Sequence, residues 1–351
     1  MNKEAEKIRV DSGITILQSL KKMDETKVKS LLVFEDEKFI GLLTIGDIQR
    51  ALIKNISTDT LVKEIIGKNK VYVSVKDDIE FIKSKMSSIR AECMPVLSDL
   101  GELIDVYFWK DLFGNKKNNL SPDINIPVVI MAGGKGTRMR PITNIIPKPL
   151  IPLDDKTIAE HIISNFLNIG CNNFFMSVNY KSKTIRDYFD GLEKKYTINF
   201  FEENKPLGTA GSLHLLDDKI KDTFFISNCD ILIEEDYREI YKYHREYNNE
   251  LTIVGSFRHY SIPYGTLETC EEGQLTSITE KPELSYLINS GMYILEPHLI
   301  RDIPKDKFFH ITDLIKNIQD RGGRVGVFPV SEKSWIDIGE WDKYLNYLKL
   351  K

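Results

Sequence analysis

An apolar run, Val128-Val129-Ile130-Met131, leads directly into Ala132-Gly133-Gly134-Lys135-Gly136-Thr137-Arg138-Met139-Arg140-Pro141. No other junction constrains the chain as much. Three glycines after a strand permit dihedrals closed to other residues and let the backbone approach a ligand closely. Successive N–H groups in such a turn form a concave anion site. Lys135, Arg138 and Arg140 add positive charge to it. This is not a Walker A loop, because Gly134-Lys135 is followed by Gly136 rather than Ser or Thr. Nor is it a dinucleotide fingerprint, since Met139 stands at the third glycine position.

Around this loop, apolar runs alternate with helical patterns. Val128–Met131, Asn173–Val178, Ile198–Phe201 and Thr223–Ser227 read as strands. Ala159–Leu167, Ile185–Leu192 and Ala210–Leu215 read as helices. Strands alternating with helices imply an α/β fold whose mainly parallel sheet is covered on both faces. Ligands gather at the carboxyl ends of such strands. Asp230 follows the apolar Phe224-Phe225-Ile226, and Asp337 follows Trp335-Ile336 in another short strand. Alone, Asp230 reads as a turn residue and Asp337 as a helix cap. Beside a phosphate loop, two carboxylates from separate strands suit a hard octahedral cation completed by triphosphate oxygens, and Mg²⁺ is the expected cofactor.

The run from Gly134 through Arg138, Pro141 and Thr143 to Pro147-Lys148-Pro149-Leu150 resembles the signature of the sugar-1-phosphate nucleotidyltransferases. Further blocks stand in that family's order: Leu207-Gly208-Thr209-Ala210-Gly211, Asn228-Cys229-Asp230, Glu280-Lys281-Pro282, Asn289-Ser290-Gly291-Met292-Tyr293 and Trp335-Ile336-Asp337-Ile338-Gly339. The resemblance covers about residues 126 to 351 and implies a Rossmann-like nucleotidyltransferase domain. It implies attack of a sugar 1-phosphate on the α-phosphorus of a nucleoside triphosphate (NTP), with pyrophosphate leaving. The nucleophile is already anionic, so the protein must overcome anion repulsion and stabilise the phosphoryl transition state. By this resemblance Arg138 serves the triphosphate, and Lys148 the α-phosphate and sugar phosphate. Ala132, Gly133, Gly134, Lys135, Gly136, Thr137, Glu202, Gly208, Thr209 and Ala210 form the nucleotide end. Asn179, Gly265, Glu280, Lys281 and Asn289 form the sugar end. The Leu-Gly-Thr-Ala-Gly block looks more like the guanylyl and cytidylyl branches, and GTP is expected.

The N-terminal stretch carries an internal repeat. Val10 answers to Val75 and Leu31 to Pro95, a period of 64 to 65 residues. Each unit reads as a helix, two strands around a turn and a second helix. With Gly41-Leu42-Leu43-Thr44-Ile45-Gly46-Asp47-Ile48, the units resemble a tandem CBS pair, an α+β Bateman module. The division expected is 1–57, 58–113, a polar linker over 114–125 and a nucleotidyltransferase domain over 126–351. In CBS domains a hydroxyl and a carboxylate spaced like Thr44 and Asp47 hold a ribose, so an adenine nucleotide is a candidate partner. The same two residues can equally cap the helix. In the second unit the aligned positions are Asp105, Phe108 and Asp111, and Phe108 supplies no hydroxyl. CBS pairs commonly dimerise, so a homo-oligomer is expected.

The whole arrangement resembles CBS-linked guanylyltransferases of bacterial surface-sugar synthesis, including those that make GDP-glucosamine for legionaminic acid. This makes glucosamine 1-phosphate the leading acceptor, with mannose 1-phosphate and related sugars open. A nucleotide-sensing protein without turnover is the rival class. The retention of Arg138, Lys148, Asp230 and Asp337 speaks against it. Composition supports the enzyme reading by exclusion. A net charge of −4 leaves no basic footprint for nucleic acid. Four cysteines at unrelated spacings form no disulfide framework or zinc motif. No apolar run approaches membrane length, and a cytoplasmic location is expected. The histidines show no metal spacing, and none is assigned to catalysis.

Overall fold

The computed structural model describes residues 3–67, 71–89, 92–113 and 123–349. The chain divides into two compact units, residues 1–122 and 123–351. Of the expected linker, residues 114–122 lie outside the described residues. Residues 123–125 belong to the second unit: the Ile124 N–H donates to the Ile169 carbonyl (2.7 Å), and the Cys171 thiol donates to the Ile124 carbonyl (2.9 Å). Among the described residues no helix is long and apolar enough to cross a membrane.

The first unit holds two three-stranded sheets of the same design. Arg9–Asp11 runs parallel to Ser30–Glu35, which pairs antiparallel with Lys38–Thr44. Val73–Ser74, Cys93–Leu97 and Leu103–Phe108 repeat that pattern. A helix follows the first strand each time, Ile16–Thr26 and then Ile79–Ile89. Residues 58–63, which the expected division at 57/58 places in the second CBS repeat, bond to the first repeat. The Ile16 and Leu17 N–H groups donate to the Thr60 and Thr58 carbonyls, and the Val62 N–H to Ile14. Thr44 and Asp47 form a reciprocal capping box on the helix Ile45–Ile53. The Thr44 hydroxyl donates to Asp47 Oδ2 at 2.6 Å, and Asp47 Oδ1 pairs with Arg50. The cap therefore engages both groups in this structure.

The second unit is built on one seven-stranded sheet: β1 (Val128–Met131), β2 (Asn173–Val178), β3 (Thr197–Glu202), β4 (Phe224–Asn228), β5 (Leu251–Ser261), β6 (Glu283–Leu295) and β7 (Val325–Val330). The spatial order is 3-2-1-4-6-5-7. β1 to β4 are mutually parallel, β6 is antiparallel to both its neighbours, and β7 is parallel to β5. The fold is thus α/β with a mostly parallel sheet. β1 and β4 are central, so their residues are buried on both faces. Val128, Val129, Ile130, Phe224 and Phe225 are each fully buried. A run without polar alternation is what such a position requires. Thr157 and Glu160 make a capping box that starts the helix Ile158–Leu167.

The helix expected over Ala210–Leu215 is instead a 3₁₀ segment, Gly211–Leu216. The N–H groups of Ala210 and Gly211 both donate to the Phe309 carbonyl. A Cβ on Gly211 would lie 2.8 Å from the Lys307 carbonyl oxygen. That close approach to residues 307–309 tightens the turn, an override by tertiary contacts that local propensity does not contain.

Away from the loop, a polar network joins β5, Thr223 just before β4 and Glu296 just after β6 to the helix Tyr237–Glu246. His244 contacts Thr252 Oγ1 (2.8 Å) and Glu296 Oε1 (3.2 Å), and Thr223 donates to the same carboxylate oxygen (2.9 Å). Burial pushes the His244 pKa below its ordinary value, although Glu296 pulls it upward and Arg245 again lowers it. The unfolded chain then binds a proton more readily than the folded one. Stability should fall as pH drops from about 6.5, the free-histidine value. In thermal melts at pH 7.5 and 5.5, a His244→Gln variant should show a smaller acid loss than the parent. An equal loss would assign the acid sensitivity elsewhere.

Candidate active site

The glycine loop leaves the carboxyl end of β1. Gly136 has φ +61°, the left-handed region, and a Cβ there would stand 2.8 Å from Thr143 Cγ2 and 3.2 Å from Lys148 Cβ. Glycine is therefore required by both conformation and space. The Thr143 hydroxyl donates to the Gly136 carbonyl (2.9 Å), which locks the turn. Thr137–Met139 continue as a single 3₁₀ turn. Ala132 is buried, its N–H donating to Ser177 Oγ (3.0 Å). Gly134 has open space where a Cβ would be. Lys135 and Arg140 are exposed and make no ion pair among the described residues.

Lys148 sits in the 3₁₀ turn Lys148–Leu150, between two prolines that hold the chain against the loop. It is buried, and its ammonium pairs with the Asp230 carboxylate. Asp230 lies just past β4, between it and the short strand Ile231–Ile233. That strand pairs antiparallel with Trp335–Asp337, Ile231 opposite Asp337. The Ile338 N–H donates to the Asp230 carbonyl (2.8 Å). The decisive position is Gly339. A Cβ there would stand 2.6 Å from Asp230 Oδ2, 2.8 Å from Asp337 Oδ1 and 3.2 Å from Lys148 Nζ. Two carboxylates and an ammonium from three separate segments therefore surround one point. Burial tends to raise the Asp337 pKa. The Lys343 hydrogen bond, the Gly339 N–H and the charges of Lys343 and Lys148 outweigh it and hold the carboxyl below its usual value.

A cavity of about 340 Å³ opens beside this point. Of the residues singled out from sequence, Arg138, Thr209, Asp230, Asn289 and Asp337 line it. Asn228, His310, Thr312 and Trp335 line it too. Sequence spacing did not point to His310. It comes to the cavity because the Thr209 hydroxyl accepts from the Ile311 N–H (3.0 Å) and approaches His310 Nδ1 (3.4 Å). The only local sign is its place before a helix, where Asp313 closes a capping box. Gly208, at φ +85°, would drive a Cβ to 2.6 Å from the Phe309 carbonyl oxygen, so it serves that same closure.

The structure divides the expected sugar end. Asn289 lines the cavity. Gly265 and Glu280 face each other at the base of the hairpin Thr266–Thr279, where a Gly265 Cβ would be 3.0 Å from Glu280 Oε2. Lys281 follows them in the chain. Asn179 lies instead under the glycine loop, donating to the Glu203 carbonyl. Glu202 is half-exposed and bonds to Ser182 (2.9 Å) and Arg186 (3.2 Å). It is the neighbouring Glu203, buried, whose Oε1 would lie 2.9 Å from a Gly133 Cβ. Burial raises the Glu203 pKa, against the opposing Leu207 N–H and Ser212 hydrogen bonds. Side chains alternate across a strand, so adjacent glutamates at its end point to opposite sides. The family resemblance names Glu202 for the nucleotide end.

The nucleotidyl transferase family model matches residues 127–350. The chain belongs to the nucleotidyl transferase family. A CBS-domain model matches residues 1–54. The nucleotidyl transferase part is similar to the mannose-1-phosphate guanyltransferase of Saccharomyces cerevisiae. The two are 33% identical over 227 residues, 62% of each chain. It is also similar to the mannose-1-phosphate guanylyltransferase catalytic subunit beta of Dictyostelium discoideum, 32% identical over 249 residues, 64% of this chain and 66% of that protein. The chain thus spans less than two thirds of the length of the curated relatives it matches. A solved putative glucose-1-phosphate thymidylyltransferase from Bacillus anthracis, in complex with a sucrose, is 20% identical. It has a TM-score of 0.52 and covers 64% of this chain and 94% of that one. That likeness establishes a shared fold.

Proposed function

We propose that the chain transfers a guanylyl group from GTP to a sugar 1-phosphate, giving a GDP-sugar and pyrophosphate. The convergence of Asp230, Asp337 and Lys148 on Gly339, beside the glycine loop, carries this reading. A sugar phosphate oxygen attacks the α-phosphorus. The new P–O bond forms as the bond to the bridging oxygen breaks, and pyrophosphate leaves with that electron pair. No general base is needed, because the nucleophile is anionic. Lys148 neutralises charge between the two reacting phosphates, and Arg138 meets the triphosphate from the cavity rim. Among the described residues no three His, Cys, Asp or Glu side chains cluster as a metal cage. Two carboxylates on the wall of one cavity fit Mg²⁺, which keeps water and substrate oxygens as its other ligands. When bound, Mg²⁺ would neutralise charge on the triphosphate.

Glu203 supports guanine as the base. A carboxyl group beneath the loop can accept from guanine N1–H and its 2-amino group together, whereas uracil offers one N–H between two carbonyls. The acceptor we favour is glucosamine 1-phosphate, on the resemblance to CBS-linked guanylyltransferases of surface-sugar synthesis. The mannose-1-phosphate relatives favour mannose 1-phosphate as the second candidate.

Pyrophosphate release with Mg²⁺ should be measured across ATP, CTP, GTP, UTP and dTTP, with glucosamine, mannose and glucose 1-phosphates. Turnover is expected with GTP and lost in Asp230→Asn. Glu203→Gln should lower kcat/KM for GTP by about 10- to 100-fold, the worth of a charged hydrogen bond, and narrow its lead over UTP. Preference for CTP or UTP in the parent would overturn the base assignment. Nucleotide binding without turnover on any pair would move the protein to the sensor class.

A further inference from the structure

Four charged side chains form a continuous line along one rim of the site. Arg138 Nη1 lies 2.9 Å from Glu340 Oε1. The same oxygen is 3.6 Å from Lys343 Nζ, which bonds Asp337 Oδ2 at 2.5 Å. Glu340 and Lys343 stand at the start of the helix Trp341–Lys349. Two lysines thus neutralise the paired carboxylates, Lys148 on Asp230 and Lys343 on Asp337.

The two lysines differ in environment. The Lys148 side chain is only 10% exposed and wedged between prolines, whereas that of Lys343 is 41% exposed. Breaking a buried pair leaves an uncompensated charge at high cost. The Lys343 ammonium is the exposed member of its pair and water can take it up, whereas Asp337, with a side chain only 13% exposed, needs an incoming cation in its place. Glu340 offers Lys343 a second carboxylate one helical turn away.

Taking Asp337 as a cation ligand, as proposed above, we infer that Lys343 is an exchangeable counter-ion. It holds Asp337 aimed beside Asp230 in the cation-free protein, and it passes to Glu340 when a divalent cation takes the carboxylate. Two neighbouring carboxylates without a counter-charge repel each other. Arg138 loses its hold on Glu340 when triphosphate draws it into the cavity, so nucleotide arrival clears the acceptor carboxylate for Lys343. Lys343 and Glu340 are positioning residues in this scheme, since neither needs to touch the reacting atoms.

The test is direct titration of the full-length protein with Mn²⁺ alone, read by electron paramagnetic resonance of the free ion. Lys343→Met should tighten Mn²⁺ binding about 3- to 10-fold, the range expected for losing a partly exposed competing ion pair. Lys343→Arg should bind as the parent does, and Glu340→Gln should bind more weakly. Unchanged or weaker binding in Lys343→Met would overturn the exchange while leaving the metal reading intact, provided that Asp337→Asn abolishes binding. Mn²⁺ binding that survives Asp337→Asn, or is absent from every variant, would sink the metal reading and the exchange together. Melting temperatures of all variants, expected to match the parent for Lys343→Arg and Glu340→Gln at their half-exposed positions and to fall modestly for Lys343→Met and Asp337→Asn, separate either result from misfolding.

Discussion

Replacing Lys148 by methionine should lower kcat/KM by about 10³-fold, near the upper end of what one transition-state charge donor contributes. The ammonium is buried, fixed by Pro147 and Pro149, and paired with Asp230. Low exposure means that water cannot take its place, and a fixed stem means that no reorganisation is needed as charge develops. Its loss should also destabilise the fold by about 3 kcal/mol, because Asp230 becomes a buried charge without a partner. The double variant Lys148→Met/Asp230→Asn separates the two effects. It should recover most of the melting temperature and none of the activity. Activity within tenfold of the parent in the single variant would show that another group meets the phosphates. Recovery of activity in the double variant would show that Lys148 serves only to neutralise Asp230.

The second large effect belongs to a single methyl group. Gly339→Ala should reduce kcat/KM by about 100-fold, with stability changed far less than in the Lys148 variant. The added carbon would stand within 2.6 to 3.2 Å of Asp230 Oδ2, Asp337 Oδ1 and Lys148 Nζ. All three must retreat from the point where they now meet, and a displacement of about 1 Å in a reacting site costs about that factor. Mn²⁺ affinity should weaken in parallel, since both proposed ligands are pushed apart. Unchanged kinetics in Gly339→Ala would mean that the cation and phosphates sit elsewhere in the cavity. The Trp-Ile-Asp-Ile-Gly run shows a glycine here, but its reason is visible only when three segments are brought together.

Much of the fold could be read from the chain itself. The four parallel strands fall close to the runs that indicated them. β1, β2 and β4 are interior strands, which admit little polar alternation, whereas β3 lies at the sheet edge and its exposure alternates. The duplicated design of the first unit follows the period of 64 to 65 residues. The misreadings share one cause. Ala210–Leu215 has helical spacing, yet its first N–H groups are held by Phe309, a residue about 100 positions away. Glu202 and Glu203 are alike in type, and it is Glu203, just past the end of β3, that goes beneath the loop. His310 carried no spacing signal, because what brings it to the cavity is the hydrogen bond from Ile311 to Thr209.

The ordered motif blocks were enough, by resemblance, for the family; residue type and near-neighbour spacing were enough for the α/β class and for the candidacy of the glycine loop, Arg138, Lys148, Asp230 and Asp337. A linear chain displays such properties directly. Three facts needed the assembled molecule. Lys148, Asp230 and Asp337 meet at Gly339. Lys343 and Glu340 close the charge line. Asn179 lies under the loop rather than with Glu280. Each depends on strand order and on pairs separated by up to hundreds of residues. Such proximity arises when burial of the sheet brings distant segments together, and no local pattern encodes it.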